Sequence, residues 1–169
     1  KYFVQLIEEI KKVTAKPVLA LVDWVSSNKQ GAIDAYFSKR FSENELASKV
    51  FTDNSIIADF SNDYISAITA LKRLKVRPIA IDADEQTPDP KRRDSLTLDI
   101  IATELRKKPE SVLLISAGDS RLGEKHLPGR LAKAQKKMAI AQVFMNSPEV
   151  YFKLRSKGKA TRNRKRPQF

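Results

Sequence analysis

The sequence predicts an α/β domain: a parallel sheet with helices on both faces, in three layers. Two observations carry this. The short segments Val18–Val22, Val76–Ile81 and Val112–Ser116 are largely apolar rather than alternating, and Val18–Val22 is apolar throughout, which is the pattern of strands buried on both faces. Between them lie segments with apolar residues three and four positions apart, the spacing of amphipathic helices. Strands and helices therefore alternate along the chain, as they do where a parallel sheet is covered on both sides.

Each element follows from its residues. Tyr2, Phe3, Leu6, Ile7, Ile10 and Val13 predict a helix over 2–13, which Lys16-Pro17 ends. Val18–Val22 is a buried strand that stops at Asp23-Trp24. Ile33 and Phe37 predict a helix from about Lys29 to Arg40. Ser42 with Glu45 three residues later is a capping box, so a short helix starts there. Ser61 caps another helix, carrying Ile65, Ile68, Leu71 and Leu74. Val76–Ile81 is a strand, with Pro78 pointing to an edge position or a strand start. Residues 83–93 read as a polar loop. Leu96, Leu98, Ile101 and Leu105 form a helix to about Lys107, and Lys108-Pro109 precedes the strand at 112–116. A helix begins near Pro128, with proline in its first turn, and runs to about Lys137. Met138–Met145 reads as a last strand, for about four in all. Because the chain opens on a helix, a first strand is expected upstream of Lys1.

Composition excludes several chemistries. The 169 residues contain no cysteine, so disulfides, iron–sulfur clusters, thiolate zinc sites and a thiol nucleophile are ruled out. No apolar run is long enough to span a bilayer. No Walker loop, nucleophile elbow, His-Glu-x-x-His zinc motif or dinucleotide glycine loop occurs. Charge is distributed unevenly. The net +12 lies almost wholly in residues 130–169, which hold 12 Lys/Arg against the single acid Glu149. Residues 1–150 read as one α/β domain and 151–169 as a basic, mobile tail with little to bury.

The densest chemistry lies in Ser111–Leu131. An apolar strand opens at Ser116-Ala117-Gly118 into Asp119, Ser120, Arg121, Glu124, Lys125 and His126, the one histidine of the chain. A loop after the carboxyl end of a strand is where an open α/β sheet places its ligand. Asp23 ends another strand and belongs to the same edge. Its bland alternative is a pairing with Arg121 or Arg93. Asp119 is either a ligand or a turn cap. His126 is the imidazole available to a metal, haem or proton transfer. Tyr36 is a possible tyrosinate ligand for haem iron, or a packing residue. Trp24 either lines a cofactor or packs. Arg93 and Arg121 suit a ligand carboxylate. In the tail, Lys153, Arg155, Arg162, Arg164, Lys165 and Arg166 would attract an anionic surface or nucleic acid in a salt-dependent way. No aromatic residue lies among those charges to stack a base.

Two segments together resemble the ChaN-like haem-binding uptake family, which shares a superfamily with Tiki proteases and erythromycin-esterase-like proteins. The first is residues 16–51, with Asp23 ending a strand, then Gln30, then Asp34 and Tyr36, then Ser42-Glu43. The second has Ser116, Gly118, Asp119 and Arg121, followed by Pro128-Gly129-Arg130-Leu131. Arg93-Asp94, opening a helix, adds to the likeness, which covers residues 1–131 in order. The resemblance implies a ChaN-like fold, haem or iron handling, and a bacterial cell-envelope location, with the cytoplasm left open. It also implies a Gly-Glu-x-His motif, expected upstream of Lys1. Asp119 stands where the family has histidine, and Asp23 where it usually has glutamate. Those are the metal and catalytic positions in the related proteases, so the implied function is noncatalytic ligand binding. The ligand would be haem or another small anion, and a homodimer stays open. The alternative is a degenerate hydrolase scaffold that associates with protein or nucleic acid through its basic end.

Overall fold

The computed structural model describes residues 2–51, 61–83, 89–118, 121, 126–135 and 139. The chain divides into two compact units, Lys1–Gly118 and Asp119–Phe169. The first unit is built on three strands, β1 (Val18–Ser26), β2 (Pro78–Asp82) and β3 (Val112–Ser116), in the order β2-β1-β3. Both pairings are parallel, with Leu21 opposite Ile79 on one side and Ile115 on the other. Five helices of this unit are described: α1 (Tyr2–Val13), α2 (Gln30–Phe37), α3 (Glu43–Val50), α4 (Ser61–Arg73) and α5 (Pro90–Lys107). A 3-10 turn, Ser27–Lys29, joins β1 to α2.

Side chains alternate across the sheet, so Ala20, Val22, Ala80 and Leu114 share one face. Around them pack Ile7 of α1, Ile33 and Tyr36 of α2, Leu46 of α3, and Ile65, Ile68 and Leu71 of α4. Leu21, Ile33, Leu46, Ile68 and Leu71 are fully buried, and each such side chain contributes about 1.5–3 kcal/mol. On the opposite face Leu19, Leu21, Ile79 and Ile81 are also buried. The α5 residues Thr97, Ile101 and Leu105, four apart and buried, form the inward stripe of that helix.

Local chemistry sets the boundaries. The Ser42–Glu45 capping box forms in full: Ser42 Oγ accepts from Glu45 N, and Glu45 Oε2 accepts from Ser42 N at 2.7 Å. Those bonds from Ser42 hold the Glu45 carboxyl below its ordinary range. α2 stops at Phe37, short of the expected Arg40. Lys39 takes a left-handed conformation with φ 61°, and Arg40 N returns to Ala35 O at 2.8 Å. α4 ends the same way, with Lys75 at φ 56° and Val76 N on Leu71 O at 2.9 Å. These are Schellman ends with lysine where glycine usually stands.

Three further boundaries differ from the sequence expectation. β1 continues past Asp23-Trp24 because Val25 is buried again; the strand carries an irregularity between Val22 and Ser26, opposite Ala80 and Asp82. β2 begins at Pro78, which is both its first residue and on an edge strand of the described sheet. α5 begins inside the expected 83–93 loop, since Asp89 accepts from Lys91 N at 3.0 Å and Pro90 starts the first turn. In the second unit, α6 (Leu127–Ala134) buries Leu127, Pro128 and Leu131, with Pro128 in its first turn. The expected strand 138–145 and the tail lie outside the described residues.

Candidate functional site

The carboxyl ends of the three strands form the edge where a parallel sheet collects ligand-binding groups. β1 brings Asp23 there. Its Oδ2 accepts a 2.7 Å hydrogen bond from the backbone N–H of Gly118, which follows β3. A carboxylate on one strand thus holds the backbone just past the end of its neighbour.

β2 brings Asp82. Arg93 Nη2 donates to its Oδ1 at 2.5 Å, with both side chains partly exposed. The helix that carries Arg93 is tied to the same strand one turn later. Thr97, fully buried, donates from Oγ1 to Ile81 O at 2.9 Å. Residues 93 and 97 lie four apart on one helical face, so the Thr97 bond to the strand also sets Arg93 over Asp82. Ser26, at the end of β1, is the sheet partner of Asp82.

Two buried polar atoms at this edge take no hydrogen-bond partner among the described residues: Arg93 Nε and Ser26 Oγ. A guanidinium has five N–H donors in a fixed plane and matches a carboxylate through two of them. Arg93 keeps one arm on Asp82 and its side chain 38% exposed, so the guanidinium can meet an anionic oxygen, while its Nε–H is buried without an acceptor among the described residues. Buried donors are nearly always satisfied in folded proteins, so an exception calls for a chemical account.

The other residues expected at a site are placed as follows. Tyr36 lies in α2, only 6% exposed, and its hydroxyl shares a 3.0 Å hydrogen bond with Thr69 Oγ1 of α4. Thr69 donates onward to Glu43 Oε2 at 3.0 Å, and Lys72 Nζ sits 3.6 Å above the Tyr36 ring. These contacts tie α2 to α3 and α4. Trp24 stacks on Tyr64, with centroids 4.7 Å apart and planes at 10°, and Phe51 lies beyond at 5.8 Å. Arg121 is buried and His126 is exposed at the start of α6; both belong to the second unit. Asp119, Lys153, Arg155, Arg162, Arg164, Lys165 and Arg166 lie outside the described residues. Among the described residues no group of three or more His, Asp and Glu is disposed to hold a metal ion.

Asp82 and Ser26 were not legible as site residues, yet a signal for Asp82 existed. VLALVD and PIAID are the same pattern, an apolar run closed by aspartate, and both aspartates reach the same edge.

A second polar cluster closes the outer edge of β2. The Gln30 side chain accepts from Ala80 N at 2.7 Å and donates to Pro78 O at 3.2 Å. Its amide thereby takes the place of a peptide group from a further strand. Gln30 also donates to Asp34 Oδ1 at 2.9 Å. Asp34 in turn receives both Nε and Nη2 of Arg77, at 2.6 and 2.9 Å. The Arg77 hydrogen bonds hold the Asp34 carboxyl below its ordinary range and push the Arg77 guanidinium up. Gln30 and Asp34 are thus structural here.

No family model, no curated protein and no solved structure matches the chain. The likeness to the ChaN-like family therefore rests on the ordered residues of the sequence.

Proposed function

We propose that this chain is a noncatalytic binding domain that takes a small anionic ligand at the carboxyl edge of its sheet. The observation that carries the reading is Arg93, held over Asp82 by the Thr97 anchor, with a buried Nε–H that has no acceptor among the described residues. Asp23 supports it from the other side, by holding Gly118 at the start of the adjoining loop. Both strand-end carboxylates thus engage protein groups rather than converging as an acid–base pair.

The resemblance to ChaN-like proteins makes haem the first ligand to test. Arg93 fits the propionate end of haem, because that end is a carboxylate. Tyr36 does not fit the iron end, because its hydroxyl is bonded to Thr69 in the packing between α2 and α4. Arg93 would hold a propionate, and Thr97 would position Arg93.

A haem titration followed by absorbance tests this. The expected result is a saturable Soret shift at micromolar haem, unaffected by Tyr36→Phe. Arg93→Ala should weaken it about tenfold or more, the value of a charged hydrogen bond. No Soret shift at micromolar haem would overturn haem as the ligand.

A further inference from the structure

Beside the outer edge of β2 lies a groove of about 450 Å³, lined by Ser27, Gln30 and Arg77 on one side and by Leu96, Asp99 and Ile100 of α5 on the other. Its size is within the range of small-ligand sites. Its floor is apolar. Ile79 and Ala80 of β2 contribute, with Ile100 partly buried. Leu96 stands 41% exposed beside it, one of few large apolar side chains so exposed among the described residues.

The charges around the groove are not balanced. Arg77 is neutralised by its two bonds to Asp34. Glu104, further along α5, receives Lys107 Nζ at 2.6 Å. Asp99 is exposed and takes no ion pair or hydrogen bond from the described residues. The backbone edge offers nothing further at this point, since Gln30 already occupies Ala80 N–H and Pro78 C=O. What remains is an apolar floor with one available carboxylate at its rim.

We propose that this groove binds a small apolar ammonium ion, its hydrocarbon body on Ile79, Leu96 and Ile100 and its charged head at Asp99. The site is separate from Arg93 and prefers the opposite charge. A carboxylate ligand here would face Asp99 with Arg77 already paired, so the sign of the ligand is the discriminating property.

The test uses the full chain labelled with nitrogen-15. It is titrated with 4-phenylbutylammonium and, separately, with 4-phenylbutyrate, a probe of the same shape and opposite charge. The expected result is a set of amide shifts confined to Ile79, Ala80, Leu96, Ile100 and Thr103. For the ammonium they saturate with a Kd on the order of 1 mM, as suits a ligand of this size on an open groove. The butyrate should bind at least about threefold more weakly, and Asp99→Asn should raise the ammonium Kd about threefold, the effect of one exposed ion pair. Asp99 is on the helix surface, so that variant keeps the fold; Leu96→Ala, also exposed, gives a second weakening that does not touch charge. Absence of shifts up to roughly 20 mM ammonium overturns the proposal. So does equal binding of the two probes, or a Kd that Asp99→Asn leaves unchanged.

Discussion

The outer edge of β2 and the carboxyl edge of the sheet are both polar seams on the same small sheet, yet they are finished differently. Along the outer edge the hydrogen-bonding groups are matched. Gln30 meets Ala80 N–H and Pro78 C=O, and Asp34 meets Arg77 through two bonds. At the carboxyl edge Asp82 and Asp23 are engaged, but Arg93 Nε and Ser26 Oγ are buried without an acceptor or donor among the described residues. A satisfied seam contributes to stability. An incompletely satisfied one costs stability and persists where binding requires it. The hydrogen bonds of the first edge serve the architecture of the sheet, and the second edge is the one that carries the proposed anion site.

That division can be broken by mutation, most sharply at Gln30. Gln30→Ala leaves a strand-edge N–H and C=O without their partners and should cost about 2 kcal/mol. For a chain of this size the melting temperature should fall by roughly 4–8 °C. A loss within about 0.5 kcal/mol would mean that water replaces the amide freely and that this edge is no more built than the other.

Next in size is the pair of Asp34 and Arg77. Both side chains are about two-fifths exposed, so after solvent screening Arg77→Gln should cost about 0.5–1 kcal/mol at neutral pH. The pH dependence has a definite sign. The Asp34 carboxyl is held below its ordinary 3.8 by Arg77, so the unfolded chain takes up its proton first as the pH falls. The stabilisation is complete above the unfolded value of 3.8 and disappears as the pH drops through the lower folded one. Denaturant melts of Arg77→Gln and the wild type should therefore differ at neutral pH and converge once the pH falls through the lowered folded value.

The smallest effect is expected at the carboxyl edge. Ser26→Ala removes a buried hydroxyl without a partner among the described residues, and should change stability by less than about 0.5 kcal/mol or raise it slightly. A loss above about 1 kcal/mol would show that Ser26 is tied into the fold after all and would erase the contrast between the edges.

Much of the frame was legible because it follows from local rules. Short, largely apolar segments marked the three strands, and the Ser42–Glu45 spacing marked the start of α3. The misplaced boundaries have physical causes. The C-terminal turn of α2 was hidden because Lys39, not glycine, adopts the left-handed conformation. β1 appeared to stop at Asp23 because a polar residue at a sheet edge interrupts the apolar run, although Val25 buries itself beyond it. At the site, Asp23 and Arg93 were recognisable as strand-end and helix-start residues. Their partners were not, because Gly118 lies 95 positions from Asp23 and Asp82 lies 11 from Arg93. The first pairing is set by parallel strand register and the second by how α5 packs on β2, neither of which the sequence spells out. Gln30 and Asp34 stood out in the sequence through the family resemblance, whereas the structure places them in the seam that seals β2.

The proposed anion site turns on Arg93, and its Nε–H can be watched directly. In a nitrogen-15 spectrum the arginine Nε–H groups give their own signals, and zinc protoporphyrin serves as a diamagnetic stand-in for haem. Propionate binding at Arg93 predicts that the Arg93 Nε–H signal shifts and becomes protected from exchange when zinc protoporphyrin is added. It also predicts no such change with the dimethyl ester, which lacks the propionate carboxylates. A signal that moves with neither compound, or equally with both, would contradict it.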